Sequence, residues 1–282
     1  MPQMGREEGI GPPLPDVRAA RMTRDPTETR ATPGPPAVAP DSNAAQPWDY
    51  FDSSWYLAHN YQSLRLDDRE ILQRIANFFA RAGGAFRQGI DVGTGTNLYP
   101  ALAMLPFCQE IKLVEWSRPN VTWLRRQLVG YAPTWDPFWS ALVEAQREQY
   151  ECLDPRSALK SAAEVRQGSI FALPAGRWDL GTMLFVAESI TGQREEFERA
   201  IGRFVRSLRP DAPLAAAFMR HSSGYLVNRL RFPGVDIDEQ DIDVCLAAVA
   251  YDVAVTRIPI VGNPLRDGYD GMILATGYAK GT

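Results

Sequence analysis

The chain is poor in the residues that build metal centres and disulfide frameworks. Its only histidines are His59 and His221, and its only cysteines are Cys108, Cys152 and Cys245. The cysteines are odd in number, far apart and without C-x-x-C spacing. They read as buried thiols rather than as a disulfide framework or a zinc site, and two histidines exclude a histidine-rich metal centre. Lysine is nearly absent: Lys112, Lys160 and Lys280 stand alone among 30 basic residues, a bias that points to a high-GC genome rather than to phosphate binding. A formal net charge of -4 gives no general attraction to polyanions, so nucleic acid is not expected as a partner. No apolar run reaches the length of about 18 residues that a membrane-spanning helix requires.

Aromatic residues are missing from positions 1–45, which hold 9 of the 22 prolines and, as branched aliphatics, only Ile10, Leu14, Val17 and Val38. Such a segment cannot bury enough apolar surface to offset its ordering entropy, and it is expected to be a disordered arm. Its interleaved acids and arginines, without an apolar core, fit neither a signal peptide nor a transit peptide. A cytoplasmic location is the resulting expectation. From position 46 the composition changes, and all seven tryptophans lie between Trp48 and Trp178. The remaining residues, 46–282, are enough for one large domain.

Within that domain helices and strands alternate. Ile71, Ile75, Phe78 and Phe79 recur at helical spacing over 64–82, and Gly83-Gly84 ends the helix. Strands are expected at 86–92, 110–115, 164–168, 178–185, 213–219, 252–260 and 271–279, with helices at 99–105, 119–130, 193–208 and 238–249. The aromatic stretch 131–162 reads as a partly helical insertion folded over the core. The alternation predicts an α/β fold, a Rossmann-like seven-stranded mixed sheet with helices on both faces. The loop before the last strand is too short for a helical crossover, so that strand should run antiparallel.

The segment GIDVGTGTNLYP, residues 89–100, carries the chemistry. Gly93 and Gly95 sit where a strand gives way to a helix, and missing side chains there let the backbone and the free N–H groups of the helix approach a ligand. Dinucleotides, S-adenosylmethionine and phosphates all bind such turns. Leu98 in place of a third glycine counts against a nicotinamide cofactor. Asp91, two residues before Gly93, can orient the turn or meet a cationic ligand. Glu115 ends the second strand, where a carboxylate can accept both ribose hydroxyls, and Trp116 beside it offers a flat apolar face to a base.

These residues resemble the class I S-adenosylmethionine-dependent methyltransferases, and within them the family of nicotinamide, phenylethanolamine and thioether methyltransferases, as a bacterial member. SSWYLAHNYQ keeps the family's spacing of two tyrosines, Tyr56 and Tyr61; IDVGTGTNLY and LVEWSRPN are similar to its two other cofactor segments. The resemblance implies that Tyr56 and Tyr61 line the cofactor, that Gly93, Thr94, Gly95, Asn97 and Tyr99 surround its methionine end, that Glu115 holds the ribose and Trp116 the adenine, and that Asn120 reaches back toward the cofactor. It further implies Gly168 and Ser169 on the adenine side and Leu184 beside the cofactor. Glu188 stands where amine-methylating members carry a substrate-binding acid. Phe218 and His221 occupy positions that carry acids in the nicotinamide-type and amine-type members, so neither of those substrates is expected.

The expected activity is therefore methyl transfer to a small-molecule acceptor, an amine or another heteroatom nucleophile, by in-line displacement. Glu188 and His221 are candidates to take a proton, and Tyr56, Glu188, Phe218 and Tyr225 to meet the acceptor. A monomer without metal, nucleic acid or membrane partner is expected. Two alternatives stay open at this point: a cofactor-binding scaffold without turnover, motivated by the departures at Gly168, Phe218 and His221, and a nicotinamide-dependent oxidoreductase.

Overall fold

The computed structural model describes residues 39–281, position 267 excepted. The expected disordered arm lies outside the described residues as far as position 38. Its last residues, 39–45, belong to the folded body. The Gly192 N–H donates to the Asp41 carbonyl at 2.8 Å, and the Asn43 N–H donates to the Glu196 carboxylate at 2.8 Å.

Two short 3-10 turns, Asn43–Ala45 and Trp48–Tyr50, lead into helix α1 (Ser53–Tyr61), whose first turn is capped by the Asp52 carboxylate accepting from the Trp55 N–H. Helix α2 (Leu66–Ala82) follows with the expected apolar stripe, and Ile71, Ile75, Phe78 and Phe79 are all buried. Strand β1 (Phe86–Val92), α3 (Tyr99–Met104), β2 (Cys108–Glu115) and α4 (Arg118–Val129) form the first crossovers. The insertion is three helices, α5 (Asp136–Ala145), α6 (Arg147–Tyr150) and α7 (Pro155–Ala162), and its Tyr131, Trp135 and Phe138 are buried against α2 and α3. Then come β3 (Ala163–Gln167), β4 (Leu180–Leu184), α8 (Arg194–Ser207) and β5 (Pro213–Arg220). A hairpin of β6 (Tyr225–Val227) and β7 (Leu230–Phe232), α9 (Glu239–Ala247), β8 (Ala250–Pro259) and β9 (Gly271–Ala279) complete the described chain.

The seven-stranded sheet has the order β3-β2-β1-β4-β5-β9-β8, parallel except for β9, which runs antiparallel to both neighbours. The chain moves outward from β1 to β3 and then returns to place β4 on the other side of β1. That reversal opens a crevice at the carboxyl ends of β1 and β4, where doubly wound sheets hold their ligands.

Side-chain alternation divides the sheet faces. On β5, Ala215, Ala217 and Met219 join the core under α2, α3 and α5, while Leu214, Ala216 and Phe218 join the core under α8 and α9. Burying a side chain such as Phe197, Ile201 or Phe204 of α8 contributes about 1.5–3 kcal/mol each. A third, smaller apolar cluster joins Phe51 to Tyr225, Val227 and Phe232 of the hairpin, with Trp48 and Tyr56 against it. This aromatic cap closes over the carboxyl ends of the strands. No described helix is long and apolar enough to cross a membrane. Of the three cysteines only Cys108 is buried as expected; Cys152 is exposed and Cys245 half-buried.

Candidate active site

The turn after β1 is shaped by backbone geometry that side chains oppose. Gly93 and Gly95 have φ of 67° and 58°, in the left-handed region open to glycine. A Cβ on Gly93 would lie 2.6 Å from both Val186 methyl groups. The Gly93 N–H donates to the Val114 carbonyl at 2.7 Å, and the Asn97 N–H to the Thr94 carbonyl at 3.0 Å. Below the turn the buried Asp91 carboxylate accepts from the Thr182 hydroxyl at 2.7 Å, tying β1 to β4. Burial pushes this carboxyl up to about 7 despite its hydroxyl partners. Asp91 orients the turn from beneath and does not line the cavity above it.

That cavity runs from the turn to the aromatic cap. Glu115 lies along it with both carboxylate oxygens held by the chain: Oε2 accepts from the Gly95 N–H at 2.8 Å and Oε1 from the Ser117 N–H at 2.7 Å. Each oxygen keeps a second lone pair for a ligand hydroxyl. Burial raises the carboxyl pKa, and the Ser117, Gly95 and Trp116 N–H groups together with the Asn120 side chain oppose the rise. Asn97 lines the cavity with a buried Nδ2 that has no partner among the described residues. Asn120 is fixed by the Ser53 hydroxyl at 2.7 Å, which joins α4 to α1. Gly168 and Ser169 line the far side, and the Ser169 hydroxyl caps the next turn by accepting from the Phe171 N–H. Trp116, half exposed at 52%, forms part of the rim. A carboxylate with two free lone pairs, an unsatisfied amide and a turn kept open by Gly93 and Gly95 together fit the ribose and the amino-acid end of S-adenosylmethionine.

The cavity thus gathers Tyr56, Tyr61, Gly93, Thr94, Gly95, Asn97, Glu115, Trp116, Asn120, Gly168, Ser169, Leu184 and Tyr225 of the expected residues. Four others stand elsewhere. Tyr99 points back into the core, donating its hydroxyl to Asp68 and stacking on Phe138 at 5.7 Å between ring centroids. Phe218 falls on the opposite sheet face, packed against Phe197 under α8, because strand alternation turns it away. His221 sits past the end of β5 with Nδ1 at 2.7 Å from the Asp236 carboxylate, outside the cavity lining. Glu188 is fully buried behind the wall; its Oε1 accepts from the Ser189 hydroxyl at 2.9 Å and the Met219 N–H at 3.1 Å.

Sequence reasoning missed several wall residues: Asn43, Trp48, Phe51, Phe185 and Ser189. The abrupt return of aromatics at Trp48 was a signal for Trp48 and Phe51, whereas Asn43, inside the expected arm, had none. Phe185 had none: it has φ of 59°, a conformation costly for a bulky side chain and typical of functional sites. Arg266 was missed as well. It lies in the loop between β8 and β9, is only 7% exposed, and sits over the Tyr225 ring at 4.1 Å.

Comparison with known proteins places the chain in a family. Residues 42–273 match the model of the NNMT/PNMT/TEMT family. The phenylethanolamine N-methyltransferase of Sus scrofa is 24% identical over 261 residues, covering 83% of this chain and 90% of that protein. The Macaca mulatta enzyme of the same name is 25% identical over 259 residues, covering 83% and 91%. Among solved structures, Burkholderia thailandensis 1,6-didemethyltoxoflavin-N1-methyltransferase, with 1,6-didemethyltoxoflavin and S-adenosylhomocysteine bound, has a TM-score of 0.52 at 16% identity. The match covers 88% of this chain and 93% of that one. The fold and site define an S-adenosylmethionine-dependent methyltransferase. The chain belongs to the NNMT/PNMT/TEMT family.

Proposed function

We propose that this enzyme methylates a nitrogen atom of a small planar aromatic or heteroaromatic molecule in the cytoplasm. The observation that carries this reading is one continuous cavity reaching from Glu115 and the glycine turn to the aromatic side chains Phe51, Tyr56 and Tyr225. Phe51 and Tyr56 lie 5.1 Å apart between ring centroids and Tyr56 and Tyr225 6.2 Å, with tilted planes that suit a flat guest held by edges and faces. Nitrogen as the methylated atom is supported by the names of the mammalian relatives.

S-adenosylmethionine, when bound, supplies an electrophilic methyl group on a sulfonium. The turn and Glu115 fix the donor end, and the aromatic cap keeps water out and aligns the incoming nitrogen; such alignment alone can be worth about 7–11 kcal/mol of barrier. The nitrogen lone pair would form the new bond to the methyl carbon as the carbon–sulfur bond breaks with its electron pair left on sulfur. An amine nitrogen would then lose a proton to solvent, whereas a ring nitrogen without hydrogen would keep the positive charge. Neither Glu188 nor His221 reaches the cavity, so this reading gives neither the role of base. The acceptor must therefore arrive with a free lone pair. Aromatic amines and ring nitrogens do so at neutral pH, whereas aliphatic ammonium groups do not.

Transfer of labelled methyl from S-adenosylmethionine to a panel of amines tests the proposal. Turnover is expected with aromatic nitrogen acceptors and should be at least about tenfold slower with aliphatic amines. No transfer to any nitrogen compound by protein that binds S-adenosylhomocysteine would refute it.

A further inference from the structure

The acceptor end of the cavity has a buried cation behind it. Arg266 donates through Nη1 to the Ser189 hydroxyl at 3.0 Å and through Nη2 to the Tyr56 hydroxyl at 3.4 Å, while its guanidinium lies over the Tyr225 ring. The Ser189 hydroxyl in turn donates to the Glu188 carboxylate, so a hydrogen-bond chain runs from Arg266 through Ser189 to an enclosed carboxylate. Among the described residues no carboxylate comes within ion-pair distance, 4.0 Å, of this arginine. Burial works against the guanidinium's charge, and Tyr56, Tyr225 and Glu188 favour it. Arginine stays protonated in such surroundings. The three side chains it touches, Tyr56, Ser189 and Tyr225, all line the cavity; Glu188 does not.

Tyr56 is the point of contact with a guest. Its oxygen accepts from Arg266, and its own proton has no acceptor among the described residues. A phenol backed by a guanidinium is a strong donor, suited to an anionic oxygen. The same cation disfavours a positively charged guest. On the aromatic-nitrogen reading above, on which this inference rests, we propose that the acceptor carries a carboxylate on its ring system, received by the Tyr56 hydroxyl, with Arg266 as the positioning residue behind it. The site thus selects an aromatic amino acid of the aminobenzoate type or a heteroaromatic acid, in place of an aliphatic amine.

The test uses the full chain saturated with S-adenosylhomocysteine and the three aminobenzoates, each compared with its aminobenzamide, an uncharged analogue of nearly the same shape. Calorimetric titration should give at least one acid at least about tenfold tighter than its amide. In Arg266→Gln that ratio should fall to within about threefold of unity, and Arg266→Lys should keep part of it. Tyr56→Phe, which leaves the arginine in place, should abolish the ratio as well. Because each ratio is taken within one protein, a general loss of packing does not imitate the effect. Equal binding of acid and amide, binding of neither, or a ratio that survives both Arg266→Gln and Tyr56→Phe would overturn the proposal. Failure of S-adenosylhomocysteine itself to bind would instead overturn the proposed function.

Discussion

The two ends of the cavity are built from different material. On the proposed reading, the ligand groups at the donor end are the backbone from Gly93 to Asn97 and one carboxylate, Glu115, that the backbone itself positions. At the acceptor end they are side chains from four separated segments: Tyr56 on α1, Ser189 after β4, Tyr225 on β6 and Arg266 between β8 and β9. The first kind of site is constrained by space and backbone angle and resists substitution. The second can be rewritten one side chain at a time while the sheet stays the same. A scaffold made in this way keeps its methyl donor and changes its acceptor.

The largest expected effect breaks the donor end. In Gly93→Ala a left-handed residue costs about 1–2 kcal/mol, and the clash with Val186 adds about 1–3 kcal/mol of overpacking. Thermal unfolding should show a clear loss of stability, with S-adenosylhomocysteine affinity reduced more than tenfold. An alanine variant as stable and as tight as the parent would remove the turn from the account.

Next in size is a pH effect at Asp91. The unfolded carboxyl ionises near pH 4 and the native one near 7, so between those values the native state holds the extra proton. Stability therefore falls as pH rises through this window, at up to about 1.4 kcal/mol per pH unit, and levels off above it. Asp91→Asn removes this term, and the variant should be favoured over the parent more at pH 7.5 than at pH 4.5. Asp68, also raised to about 7, leaves its own slope in both proteins. An equal difference at the two pH values would contradict the assignment.

Glu115→Ala should weaken S-adenosylhomocysteine binding by about 1–3 kcal/mol, the cost of removing a charged acceptor and stranding the Gly95 and Ser117 N–H groups. Isothermal titration measures this directly, and unchanged affinity would take Glu115 out of the site. The smallest effect sharpens the other end. Tyr225→Leu removes the ring under Arg266 and should cost about 1–2 kcal/mol of stability in chemical denaturation. It should also raise the acceptor KM more than it changes cofactor affinity. The reverse pattern would show that the two ends are not separable.

The same difference of material explains what could be read from the sequence. The glycine turn, Glu115 and the order of the strands are local patterns, so Gly93, Gly95, Asn97 and Asn120 were found where they are. The antiparallel final strand followed from a loop length. Tyr99 and Phe218 were misplaced because a position beside a motif does not state its facing; one residue of helix or strand phase turns a side chain from cavity to core. Arg266 carried no signal, since a single arginine in a loop of Gly, Asn and Pro is ordinary until the fold brings it over Tyr225. The boundary near residue 46 came out late because residues 39–45 are polar and small, yet they dock by hydrogen bonds rather than by apolar burial.

The most direct test of the central claim is a crystal structure of the protein with S-adenosylhomocysteine. The ribose hydroxyls should rest on the Glu115 carboxylate, the amino-acid end should meet Asn97 over the Gly93–Gly95 turn, and the sulfur should face Tyr56. A ligand bound away from the turn, or a Glu115 carboxylate directed elsewhere, would contradict it.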